Sequence, residues 1–82
     1  MPVLVVEHSF DPPITEESLQ AAFKRLGPCL KTHGARWIRS YFASDGRRMI
    51  CEFEAPDAEA VRASLHSAAT PFDRVWSAQV LK

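Results

Sequence analysis

The sequence predicts an α+β domain in βαββαβ order, with a four-stranded antiparallel sheet and two helices on one of its faces. Three observations carry that expectation. Runs rich in β-branched and aromatic residues recur four times, apolar stripes at helical spacing separate them twice, and an Asp45-Gly46 pair joins the middle two runs. A chain of 82 residues suits one domain, spanning 1–82.

The first strand is expected over Val3 to His8, and Phe10-Asp11-Pro12-Pro13 ends it because consecutive prolines offer no backbone donors. Thr15 caps the first helix, Glu16 and Glu17 suit its positive end, and Ile14 with Leu19 forms a hydrophobic staple. Leu19, Ala22, Phe23, Leu26, Leu30 and His33 make one stripe that keeps its phase across Gly27-Pro28, which predicts a kinked helix stopped at Gly34. Ala35 to Ala43 reads as the second strand and Arg48 to Glu54 as the third, joined through a type I′ turn at Asp45-Gly46. Asp57 caps a second helix with Ala58, Val61, Leu65 and Ala68 inside, and Arg74 to Leu81 closes as the fourth strand.

The hairpin divides the sheet into faces. With Ser44 opposite Arg47, the pairs Phe42–Met49, Ser40–Cys51 and Ile38–Phe53 form an apolar face toward the helices, joined by Trp76, Ala78 and Val80. Tyr41–Ile50, Arg39–Glu52 and Trp37–Glu54 form a mixed face, with Ser77 and Gln79. The first strand is apolar on both sides (Val3 and Val5, Leu4 and Val6), so neither face is expected to stay wet, and a homodimer packed sheet to sheet is the expected remedy.

Ten basic residues balance ten acidic ones, which argues against a broad attraction to nucleic acid or to anionic membrane. The opening apolar run is too short for a signal peptide, and no stretch approaches the roughly 20 apolar residues of a span, so a cytoplasmic protein is expected. Cys29 and Cys51 lack zinc-type spacing and read as reduced thiols. RNA-binding modules share this element order, but they need stacking aromatics where this chain offers Ile50, Glu52 and Glu54.

The candidate site lies on the mixed face. If the first and third strands are parallel neighbours, His8 lies near Glu52 and Glu54, and an imidazole beside carboxylates suits a divalent transition metal or an acid/base pair. Trp37, Arg39, Tyr41, Ser77 and Gln79 would line a ligand pocket there. Strand parity groups His8 with Leu4 and Val6 without fixing the side. The plain alternative is structural: Arg39 opposite Glu52 is also an ordinary cross-strand ion pair.

Glu7-His8, Thr15-Glu16-Glu17, Arg39-Ser40-Tyr41, the run from Cys51 to Arg62, and Pro71-Phe72-Asp73-Arg74-Val75 also resemble a small bacterial family of unknown function. Its members are described as nickel-binding proteins of ferredoxin-like, dimeric α/β-barrel fold. The resemblance implies a fold, a dimer and nickel as first candidate metal; it supplies no reaction and no ligand set. Two expectations follow: a non-enzymatic dimeric metal-binding protein, or a cofactor-less small-molecule-binding protein or enzyme using the sheet-face cavity.

Overall fold

The computed structural model describes residues 1–82. Its elements follow the expected order: β1 (Val3–Ser9), α1 (Glu16–Thr32), β2 (Arg36–Phe42), β3 (Arg48–Glu54), α2 (Ala58–Ser67) and β4 (Arg74–Ala78). The strands form one sheet in the order β2-β3-β1-β4, and every neighbouring pair is antiparallel. The expected parallel pairing of β1 with β3 is therefore incorrect. The βαββ connection reverses the chain an odd number of times between them, so they run in opposite directions.

Local chemistry sets the helix ends. The Thr15 hydroxyl accepts from the Ser18 backbone N–H at 3.1 Å, and the Asp57 carboxylate accepts from Ala60 N–H at 2.9 Å. α1 continues through Pro28 as one element. It stops where Gly34 adopts φ +71°, letting the Gly34 and Ala35 N–H groups bond back to Lys31 and Leu30.

The covered face of the sheet carries Leu4, Val6, Met49, Cys51, Phe53 and Val75, which pack with Leu19, Leu26 and Leu30 of α1 and Val61, Leu65 and Ala68 of α2. Of the expected stripes, Leu19, Leu26, Leu30, Val61, Leu65 and Ala68 are buried, and Ala22, Phe23, His33 and Ala58 are half-buried. Ser64 is also fully buried, its hydroxyl donating to the Ala60 carbonyl at 2.8 Å.

The β2–β3 pairing follows the expected register from Phe42–Met49 to Arg39–Glu52. The turn itself differs. Gly46 N–H bonds to the Ala43 carbonyl at 2.9 Å, so Ser44 and Asp45 are the central residues, and only Gly46 has positive φ. A type I′ turn would need positive φ at both Asp45 and Gly46. Gly46 is buried: its carbonyl accepts from Ile14 N–H at 2.9 Å, and a Cβ there would lie 3.0 Å from the Ile14 oxygen and 3.2 Å from the Pro13 side chain. The hairpin tip is thereby clasped to the β1–α1 loop.

Candidate binding site

Three local features redistribute the expected site residues between the faces. The first is the direction of β1. Antiparallel pairing sets Val5 opposite Glu52, Val3 opposite Glu54 and His8 opposite Met49. His8 shares its side with Leu4 and Val6, and that side is the helix-covered one. Glu52 and Glu54 point the other way, so the sheet itself separates them from His8. The expected His8–Glu52–Glu54 cluster is not brought together.

The second feature is a β-bulge between Trp37 and Arg39. One extra residue shifts the pairing, so Trp37 faces Phe53 and Arg36 faces Glu54. Trp37 consequently leaves the mixed face, stacks on Phe23 of α1 with ring centroids 5.1 Å apart, and donates from Nε1 to the Ser40 hydroxyl at 2.9 Å. Ile38 moves the opposite way and borders a hollow on the open face with Arg39, Glu52 and Glu54.

The third is the parity of β4. Val75 lies opposite Val6, Ser77 opposite Leu4 and Trp76 opposite Val5. Trp76 and Ala78 thus lie on the open face and Ser77 on the covered side, the reverse of the expectation, while Gln79 and Val80 lie beyond β4. This parity buries Val75 in the core and lets polar groups meet on the open side. The Trp76 indole N–H donates to a Glu7 carboxylate oxygen at 2.7 Å, and Arg74 Nε approaches that same oxygen at 3.6 Å. Arg74 opposite Glu7 was the sequence signal for this register.

The open face therefore holds three ion pairs: Arg36–Glu54, Arg39–Glu52 at 3.0 Å, and Arg74–Glu7. The hydrogen bond from Arg36 holds the Glu54 carboxyl below the usual carboxylate range. Among these pairs lie Ile50, Tyr41 and Trp76, all substantially exposed, with Val5 nearly covered beneath its neighbours. Of the expected pocket residues, Arg39 and Tyr41 are on this face, Trp37 and Ser77 are not, and Gln79 lies past the end of β4.

The larger cavity, about 650 Å³, lies on the opposite side, between α1 and the sheet. Met49, Cys51 and Phe53 of β3 contribute its floor, Leu19, Ala22, Phe23 and Leu26 of α1 its roof, and the Phe10–Ile14 loop with Pro71 its walls. His8 borders it and is 4% exposed. Its Nδ1 lies 2.9 Å from the Pro71 carbonyl, an acceptor only, so Nδ1 carries the proton. Burial lowers the His8 pKa against the opposing effects of the Pro71 bond and the Asp73 charge, which favours a neutral ring. Burial likewise pushes the Cys51 thiol up to about 11, although the Ser40 hydroxyl contacts its sulfur at 3.0 Å. A protonated thiol is a poor nucleophile.

Sequence reasoning placed Phe10, Met49 and the α1 stripe in loop and core and did not anticipate a cavity among them. The available signal was Ala22, a small residue in the apolar stripe, together with the diproline loop that precedes the helix. His33 closes α1 as its C-terminal cap, and His66 is exposed, edge-on to Phe72 at 5.9 Å. No group of three or more His, Cys, Asp or Glu side chains gathers with metal-binding geometry.

A family model described as nickel responsive protein SCO4226-like matches residues 4–77. The fold is similar to the crystal structure of SCO4226 from Streptomyces coelicolor A3(2), with a TM-score of 0.86 at 19% identity over 98% of this chain and 99% of that one. Among curated proteins none matches the sequence.

Proposed function

Because the chain belongs to the SCO4226-like family of nickel responsive proteins, we propose that it is a non-enzymatic, cytoplasmic binding protein that works as a homodimer, its open sheet face closed against a second copy. The observation that carries this reading is the exposed apolar centre of that face, Tyr41, Ile50 and Trp76, set among charges already paired within the chain. A twofold contact brings the same patch against itself. Unpaired charges there would meet their own kind; internally paired ones can be buried together at lower cost.

Nickel is the ligand that the family description brings to this reading. The residues of one chain do not fit a nickel centre: His8 opens onto the covered side, Glu52 and Glu54 are engaged by arginines on the other, and no three-ligand group exists. Nickel binding on this proposal therefore draws its ligands from two copies, and it has to release Glu7, Glu52 or Glu54, the metal-ligating side chains of that face, from its arginine. A role as binding protein also agrees with a buried thiol kept protonated.

Light scattering during gel filtration tests the dimer, and calorimetry with nickel chloride on tag-free protein tests the ligand. Wild type should run as a dimer and Trp76→Glu as a folded monomer that has lost nickel binding, while His8→Ala should keep its nickel affinity. A monomeric wild type overturns the reading of the open face. Nickel binding that survives in the monomer removes the shared-ligand proposal.

A further inference from the structure

The cavity beneath α1 lies across the sheet from the proposed dimer contact, so it is available to a ligand whether or not the chain dimerises. We propose that this cavity binds a small, uncharged, largely aromatic molecule carrying one hydroxyl group, a phenol in chemical class, whose O–H donates to Nε2 of His8.

Size and lining give the apolar part. The hollow, about 650 Å³ and open to solvent on one side, is lined at its base by Phe10, Phe23, Leu26, Met49 and Phe53. That volume lies within the usual range for small-molecule pockets, which are mostly apolar with a few placed polar groups. Flat ligands are favoured by the neighbouring rings. His8 and Phe10 lie nearly parallel, 5° apart with centroids at 6.0 Å, and Phe23 is backed by Trp37.

His8 supplies the polar part and sets the direction of the hydrogen bond. With the proton on Nδ1 and given to Pro71, Nε2 presents a lone pair. It makes no hydrogen bond within the chain, yet no fully enclosed polar side-chain atom lacks a partner, so Nε2 opens onto the cavity. A group aimed there must donate. A carboxylate cannot donate to Nε2, and the lining also carries the Asp11 carboxylate, which disfavours a second negative charge.

Three naphthalene probes of nearly equal shape separate the alternatives: 2-naphthol donates, 2-methoxynaphthalene does not, and 2-naphthoate is charged. Binding to the full-length protein is measured by titration and mapped by amide chemical shifts. Wild type should bind 2-naphthol roughly three- to tenfold tighter than its methyl ether, the range expected for one net hydrogen bond, with shifts at Phe23, Leu26 and Cys51. His8→Phe should erase that preference while retaining the ether. Ala22→Trp, which fills the chamber and leaves His8 and its Pro71 bond in place, should exclude both probes and keeps the test decisive if His8→Phe does not fold. Equal affinity for the naphthol and its ether, tighter binding of the naphthoate, shifts confined to Tyr41, Ile50 and Trp76, or no binding at all would each overturn the proposal.

Discussion

On their covered side, β1 and β3 present Leu4, Val6, Cys51 and Phe53, each no more than 1% exposed. On the other side, the same two strands set Val3 and Val5 beside Glu7, Glu52 and Glu54, each carboxylate with its own arginine. The two surfaces are one residue apart along each strand. The first is held by packing, which is lost wherever atoms are removed. The second is held by exposed ion pairs, which give little stability but leave an apolar centre without unmatched charge. Dry packing and paired charge are thus assigned to opposite sides of one sheet.

Substitutions can break that contrast at its strongest point. Phe53→Ala empties the middle of the covered face, and chemical denaturation should show a loss of about 3–5 kcal/mol; a loss below about 1 kcal/mol would mean that the covered face is not the stabilising one. A smaller effect comes from Cys51. Its pKa rises on folding from an ordinary 9.0 to about 11, so the unfolded chain releases this proton first as pH rises. Stability should be unaffected by this group below pH 9 and fall by about 1.4 kcal/mol per unit between about pH 9 and 11. Urea midpoints of wild type and Cys51→Ala across that window should converge as pH rises; parallel curves would show that the thiol is not held in a dry site. The smallest effect belongs to the open face. A double-mutant cycle on Arg39→Ala and Glu52→Ala should give a coupling of only about 0.2–1 kcal/mol, reduced by salt. A salt-insensitive coupling of several kcal/mol would place that pair in a dry environment and redraw the comparison.

Element order, both helix caps, both inner stripes and the hairpin register as far as Arg39–Glu52 were legible because each depends on neighbours in sequence or on strict alternation. The candidate site was less legible because it depends on breaks in alternation. The bulge at Ile38 has no Gly or Pro to announce it, and it carries Trp37 across the sheet. The β4 sequence alternates convincingly in either parity; the one adopted buries Val75 and lets Trp76 donate to Glu7, a partner distant in sequence. His8 was correctly grouped with Leu4 and Val6; its side follows only once the sheet direction is known. Membership in the SCO4226-like family was legible in the quoted motifs, especially from Cys51 to Arg62.

Gly46 ties two parts of the molecule that look separate on paper. The turn it occupies belongs to the β2–β3 hairpin, yet its carbonyl and its bare Cα hold the Pro13–Ile14 segment that walls the cavity. Surface turns are ordinarily where a small protein can gain or lose residues most freely. Here that freedom is mortgaged to the chamber beneath α1. A lineage that lengthened this hairpin would remodel its own interior, so the turn's length is inherited together with the shape of whatever the cavity accepts.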